Sequence, residues 1–169
     1  MSKQSFFEFG YDDATRPVVK DWWLELEDNR GDRARLRRCA NLTEVVFEPA
    51  YHRLRIDLPM FSEREDIRIA AVAGVLSHVR DHQPGLAFAA QMAQPKAAGG
   101  RTPVSGLRFR RLLKCRDHAE VFPALIRIVK LLGRDVDIYS LAHTAFRWDD
   151  QLRKQLAYGY YAAAPGDEQ

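Results

Sequence analysis

The chain has 169 residues, of which 46% are hydrophobic and 29% are charged, and its formal net charge is +3. This length suits one domain with its own core, and the composition excludes an intrinsically disordered chain. Two cysteines, Cys39 and Cys115, are too few for a disulfide framework or a zinc knuckle, so we expect both to be small buried residues. The longest apolar stretch, residues 69–76, is too short to cross a bilayer, and the N-terminus lacks the pattern of a signal peptide. We therefore expect a cytoplasmic protein without a membrane partner.

Apolar periodicity and capping signals predict helices nearly throughout the chain. They fall at about residues 15–28, 32–40, 49–56, 62–76, 103–115, 117–132, 137–147 and 150–162, and residues 86–93 form a short apolar turn or helix. Asp32 is a candidate N-cap of the second helix, and Ser62 and Glu65 have the spacing of a capping box. Residues 69–76 are apolar nearly all round, which predicts a central buried helix. No segment alternates polar and apolar residues over a strand's length, so we expect no sheet.

These elements predict an all-α fold, a single-domain bundle of about seven to nine helices with basic outer faces. The domain is expected to span residues 1–169. Within it we expect an N-terminal arm at residues 1–16, a mobile loop at 94–102 and a polar tail at 163–169.

The positive charge is unevenly distributed along the chain. Residues 1–29 hold three basic and seven acidic residues, whereas residues 101–134 hold nine basic and two acidic ones. Of the 26 basic residues in the chain, 20 are arginine, whose planar group donates several hydrogen bonds at once to phosphate. A GC-rich genome would also favour arginine, so only the clustering of these residues distinguishes the two explanations.

Two helices concentrate this charge on one face. In the second helix Arg33, Arg35, Arg37 and Arg38 fan out around Leu36, and Asp32 is the only acid nearby. These guanidinium groups would repel one another, which suggests that an external anion neutralises them. The helix at 103–115 repeats the arrangement, with basic residues opposite an apolar face: Arg108, Arg110, Arg111 and Lys114 lie across from Phe109, Leu112 and Leu113. Two such faces favour a nucleic-acid backbone as partner over an ordinary solvated surface.

No catalytic constellation is evident in the sequence. His78 and His82 have the i,i+4 spacing of a metal pair, but no HExxH arrangement or third ligand accompanies them, so we expect both at the exposed end of a helix. Glycine-rich phosphate loops, nucleophile elbows and carboxylate pairs are absent from the sequence. We therefore expect no enzyme activity, no cofactor and no metal site.

The order of several short segments along the chain resembles a known family. The segments are WWLEL (22–26), ARLRRC (34–39), PAYHRL (49–54), RFRRLLKC (108–115), LIRIVKLLG (125–133) and DIYSLAHTAFRWDDQLRKQL (137–156). In this order they resemble the CasB family, the small subunit of the type I-E CRISPR surveillance complex, Cascade. The resemblance covers about residues 18–160. No single segment is specific to the family, but the order of all the segments along the chain is.

The resemblance implies an all-helical, non-enzymatic subunit that is present in two copies. Its implied partners are the backbone and large subunits of Cascade, the guide RNA, and target DNA including the displaced single strand. Carried over by position, the strand-contacting residues are Arg38, Arg64, Arg108, Lys114 and Arg127. We add Arg37 and Arg111 from the two basic faces. After Trp148 this chain has Asp149, Asp150 and Gln151 where some relatives have basic residues, and the flanking Arg147 and Arg153 are candidates to replace them.

Two other classes of protein fit the same charge pattern. One is a nucleic-acid-binding protein outside CRISPR, such as a regulator with a recognition helix, although the basic helices lack base-reading Asn or Gln. The other is a helical adaptor whose arginines meet acidic partner proteins.

Overall fold

The chain folds almost entirely into α-helices, as a computed structural model that describes residues 3–166 shows. Eleven helices lie in this range: α1 (Lys3–Phe7), α2 (Arg16–Asp28), α3 (Arg30–Arg38), α4 (Leu42–Val46), α5 (Pro49–Ile56), α6 (Asp66–Leu76), α7 (Phe88–Ala93), α8 (Gly106–Leu113), α9 (His118–Leu131), α10 (Ile138–Arg147) and α11 (Asp150–Ala163). Residues 167–169 of the predicted polar tail, and residues 1–2 of the predicted arm, lie outside the described range. The all-α fold class is confirmed.

Helix α6 is the centre of the bundle. Every residue from Ile69 to Leu76 is buried, and the helix packs against α4, α5, α9 and α10. A helix that is apolar on all sides must be surrounded, which is why the sequence pattern predicted its position correctly. The predicted capping box precedes it: the Ser62 amide donates to Glu65 at 3.0 Å, and a short 3₁₀ turn, Glu63–Glu65, leads into the helix.

Asn29, rather than the predicted Asp32, caps helix α3. The chain leaves α2 at Asn29, and its side-chain oxygen accepts a hydrogen bond from the Asp32 amide at 3.2 Å. Asp32 therefore lies in the first helical turn, where its side chain is buried. The helix starts two residues earlier than predicted because Gly31 is tolerated in its first turn.

Two helices and a small sheet were not predicted. Helices α1 and α4 have five residues each, too few to show a helical period, and they raise the helix count of the described range above the expected seven to nine. The strands β1 (Asp81–His82) and β2 (Asp135–Val136) pair in parallel. Two-residue strands carry no alternation pattern, so the expectation of no sheet was wrong for this pair.

Phe9, within the segment predicted as an arm, packs against α10. Phe9 is fully buried and stacks on Phe146, with the ring centroids 4.1 Å apart. The His143 Nδ1 atom lies 2.9 Å from the Phe9 carbonyl oxygen. Residues 94–105 connect α7 and α8 without a helix, and the mobility of 94–102 stays a prediction. The two cysteines are half-buried rather than fully buried, and both are free thiols.

Alanine at Gly74 is expected to lower the free energy of unfolding by about 1–3 kcal/mol, the cost of overpacking a filled core. A Cβ atom there would overlap the Phe122 ring, reaching 2.8 Å from its Cζ atom, because α6 and α9 are in close contact. The matched control is alanine at Gly31, another helical glycine, whose nearest side-chain atom would be 3.5 Å from the new Cβ. Gly31→Ala should leave stability unchanged or raise it by up to about 1 kcal/mol. Urea unfolding of both variants measures the difference, and equal effects would contradict the close helix contact.

Candidate nucleic-acid interface

Helix α8 carries the most regular basic face of the protein. The Ser105 side chain caps it by accepting a hydrogen bond from the Arg108 amide at 3.3 Å. Phe109 and Leu112 are buried on one side, as predicted. The basic residues on the opposite side are all exposed: Arg108, Arg110, Arg111 and Lys114.

Both ends of α8 are attached to α11 and its preceding turn. At the start, the Tyr160 hydroxyl donates to the Val104 carbonyl at 2.6 Å, and the Tyr160 ring stacks on Phe109 with centroids 4.0 Å apart. At the end, Trp148 Nε1 donates to the Cys115 carbonyl at 2.9 Å. Arg153 Nη1 donates to the Leu113 carbonyl at 3.1 Å. These contacts fix the orientation of α8 about its own axis, and therefore fix the side on which its arginines lie.

A groove of about 460 Å³ runs between α8 and α9. Four cations line it, Arg108 and Arg111 from α8 and Arg127 and Lys130 from α9, above a floor that includes Leu112 and Ile128. We call it the α8–α9 groove. It brings together three of the residues that the sequence singled out, Arg108, Arg111 and Arg127.

These four cations have no negative partners. In the part of the chain that the structure describes, none of them forms an ion pair, and no acidic residue lines the groove. Like charges that converge on a concave surface raise the local concentration of anions. This charge distribution favours an anionic ligand over a neutral one.

Two of the five arginines of α3, Arg33 and Arg35, have carboxylate partners within the fold. The ion pairs are Arg35 with Asp32 and Glu48, Arg53 with Asp32, and Arg33 with Glu27. The interpretation that an external anion must balance this helix is therefore wrong for Arg35, whereas Arg33 has only one distant partner, Glu27 at 3.8 Å. Their carboxylate partners come from α2, from the residue before α5 and from the first turn of α3 itself.

A second group of cations surrounds a cavity of about 650 Å³ beside α3. We call it the α3 cluster; its members are Arg30, Arg33, Arg37, Arg80 and Arg134. The β1–β2 pair brings two of them together, since the Arg80 amide donates to the Arg134 carbonyl at 2.8 Å. Arg37 Nε donates to the Ser77 carbonyl at 2.7 Å, and burial, then Arg134 and Arg33, lower its pKa.

The other predicted strand contacts lie apart from these two sites. Arg38, Arg64 and Lys114 are exposed but line neither the groove nor the cluster. Their role in binding a strand stays a prediction.

Arg147 and Arg153 are occupied by internal contacts. Arg147 is only 3% exposed, and it donates to the Phe7 carbonyl at 2.9 Å and pairs with Asp149. The structure corrects the expectation for Arg147, because a buried guanidinium that holds the N-terminal segment is inaccessible to a strand. Arg153 is half-buried, donates to the Leu113 carbonyl and pairs with Asp150. Its contact with a strand stays a prediction.

The family model described as CRISPR-associated protein Cse2 matches residues 32–161 of the chain. The protein belongs to the Cse2 family. This confirms the sequence-based resemblance to the small subunit of type I-E Cascade, which is the same family.

A solved structure shares the fold of this Cse2 family member. The match is a chain in the crystal structure of E. coli Cascade bound to a PAM-containing double-stranded DNA target, with a TM-score of 0.65 and 18% sequence identity. The alignment covers 88% of this chain and 94% of that chain. At this identity the match establishes the common fold. No curated protein matches the sequence.

Sequence reasoning missed Lys130 of the groove and, in the α3 cluster of this Cse2 family member, Arg80 and Arg134. Lys130 lies three residues after Arg127 on α9, so a helical projection of α9 would have found it. Arg80 and Arg134 meet Arg37 only through the two-residue strands, and no local signal marks that pairing.

The environments of His78 and His82 in the structure differ from the predicted ones. His78 is buried, at 4% exposure, rather than at an exposed helix end, because it follows the central helix into the core. His82 is half-buried, and its Nδ1 atom accepts a hydrogen bond from the Ile138 amide at 3.1 Å.

Among residues 3–166 no group of three His, Cys, Asp or Glu side chains is placed to hold a metal ion. No helix in that range is both long and apolar enough to span a bilayer.

Proposed function

We propose that this chain is the non-catalytic small subunit of a type I-E Cascade and that its α8–α9 groove holds a nucleic-acid backbone. The partners in this proposal are the backbone and large subunits, the guide RNA, target DNA with its displaced strand, and a second copy of the chain. Family membership supports the place in the complex. The observation that carries the binding role is the convergence of four cations without counter-ions on one groove.

The chemistry of the groove suits phosphates rather than bases. Guanidinium groups donate paired hydrogen bonds to phosphate oxygens, and the described lining includes no Asn, Gln, Asp or Glu, the residues that read the edges of adenine and cytosine. Such contacts position a strand without reading its sequence. Burial raises the pKa of the Cys115 thiol in that lining, so this thiol is not an activated nucleophile.

Modest backbone contacts suffice for this role. When a guide RNA invades a duplex, one helix is exchanged for another of similar stability, so a few contacts to the open strand decide the balance. An arginine-lined groove provides a sequence-blind site for that strand. In the alternative function, a helical adaptor, the same cations would instead meet an acidic partner protein.

Salt dependence of binding tests the groove directly. Four neutralised phosphates predict a slope of about −2.8 for log K against log salt on a single strand. Gln at Arg111 should weaken binding and bring the slope closer to zero by about 0.7, since one counter-ion fewer is released. The matched control is Gln at Arg116, which is 83% exposed and paired with Glu120 outside the groove. Fluorescence anisotropy with a labelled oligonucleotide gives both slopes. A slope that Arg111→Gln leaves unchanged would place the binding site elsewhere.

A further inference from the structure

The α8–α9 groove and the α3 cluster meet at the C-terminal end of α9. Lys130, in the last turn of α9, lines the groove, and Arg134, four residues later, lines the α3 cluster. Between them the chain turns sharply, with Gly133 and Arg134 both at positive φ, +73° and 66°. The turn leads Arg134 directly into β2, beside Arg80. The two cationic surfaces are therefore adjacent.

A buried histidine lies beneath this junction. Neither ring nitrogen of His78 has a hydrogen-bond partner in the described structure. Burial lowers the pKa of His78 to about 4, followed in effect by the charges of Lys130, Arg134 and Arg37. These three charged groups belong to α9, to the turn after it and to α3. The pKa of His78 therefore depends on charges of both the groove and the α3 cluster.

The α3 cluster has more positive charge than the fold neutralises. Arg80 pairs with Asp81 at 3.0 Å and with Asp135 at 3.2 Å. Arg33 reaches Glu27 only at 3.8 Å, and its Nε and Nη2 atoms have no hydrogen-bond acceptor. Arg30 and Arg134 form no ion pair within residues 3–166. An anion in the cavity would relieve this repulsion.

We propose that the α3 cluster is a second phosphate-binding site, and that a single strand held in the α8–α9 groove continues over the C-terminal end of α9 into it. This inference rests on the proposed function and adds the path of the strand. The occupant is a single strand, because the path turns around a helix end within a few residues, whereas a duplex bends smoothly only over tens of base pairs.

The double variant Arg30→Gln, Arg134→Asn tests the path. Arg30 is exposed at the start of α3, and Asn is tolerated at the positive φ of position 134, so the fold should persist. The probes are deoxythymidine oligonucleotides of about 4 and about 16 residues, the range that single-strand sites occupy. A tetramer occupies one site at a time, so loss of one of two sites lowers its apparent affinity no more than about twofold. A 16-mer reaches both sites, and its affinity should fall about 100-fold, the effect of two lost charge-assisted contacts.

The matched control removes two positive charges elsewhere, Arg116→Gln with Lys20→Gln, two exposed residues that line neither site. It should change the 16-mer affinity less than twofold. A 16-base-pair duplex should bind the Arg30, Arg134 variant as well as the unchanged protein. Two 16-mers bound per chain, or equal losses for both oligonucleotide lengths, would overturn the continuous path. If the unchanged protein binds no oligonucleotide, the proposed function itself fails.

Histidine NMR gives an independent readout of the junction. After burial, the charges of Lys130, Arg134 and Arg37 lower the pKa of His78, and phosphates placed over them would offset these charges. The pKa of His78 should therefore rise when the 16-mer binds, and rise less with the tetramer, which reaches only Lys130 of the three. The tetramer experiment uses the Arg30→Gln, Arg134→Asn variant, in which only the groove remains to be filled. An unchanged His78 pKa in the 16-mer complex of the natural sequence would contradict the path.

Discussion

Glutamate at both Arg108 and Arg127 is expected to shorten the lifetime of an R-loop about 100-fold in a reconstituted surveillance complex. Each residue loses a charge-assisted contact, worth about 1.5–3 kcal/mol, and about 1.4 kcal/mol corresponds to a factor of ten. Both arginines are exposed and unpaired in the described chain, so the fold should be unaffected. The loss should be greatest on targets with guide-distal mismatches, where the exchange of duplexes is most closely balanced.

The control keeps the charge change but moves it out of the groove. Glutamate at Arg110, on the same helix, and at Lys20, on α2, adds the same net negative charge without touching the groove lining. Single-molecule measurements on supercoiled DNA should give near-normal lifetimes for this variant. Unchanged lifetimes for the Arg108, Arg127 variant, together with dissociation of the complex, would identify the groove as a protein–protein interface and favour the adaptor.

The largest expected loss of stability follows from alanine at Phe146. Its ring is fully buried, stacks on Phe9 and lies 5.0 Å from the ring of Phe61 and 5.3 Å from that of Phe6. Removing it leaves a cavity among three aromatic rings, and such truncations cost about 3–5 kcal/mol. The N-terminal segment should also be released, since Phe6 and Phe9 lose their main aromatic partner.

Two measurements separate these effects. Urea unfolding should show the loss of stability, and limited proteolysis of the folded variant should cut within the first ten residues sooner than in the natural sequence. Alanine at Phe47, which is 74% exposed, is the matched control and should change stability by less than about 0.5 kcal/mol. Normal protease resistance in a destabilised Phe146 variant would show that other contacts hold the segment, with Arg147 and its bond to Phe7 first among them.

Local signals predicted most of the fold, because short-range chemistry determines where helices begin and which face they bury. The Ser62–Glu65 box, the apolar stretch 69–76 and the amphipathic α8 are all present as the sequence indicated. Helices of five residues and strands of two are too short for any periodic signal. Their positions depend on tertiary contacts.

The candidate site was predictable only where it lies on one helix. Arg108 and Arg111 follow from the pattern of α8, but the ion pairs of α3 depend on Glu48 and Arg53, which approach from outside the helix. Arg147 was expected to contact a strand because it flanks the stretch Asp149–Gln151, where some relatives have basic residues. Its burial results from the contact of Phe7 with the end of α10, across 140 positions of the chain.

The attachment of α8 at both ends has a consequence for how a strand is bound. Tyr160 holds the start of the helix, and Trp148 and Arg153 hold its end. One wall of the groove is therefore preorganised, and little backbone entropy of the protein is lost when the groove fills. The flexible nucleic acid bears most of the ordering cost, so a strand already extended by its neighbours in the complex should bind more tightly than the same strand free in solution.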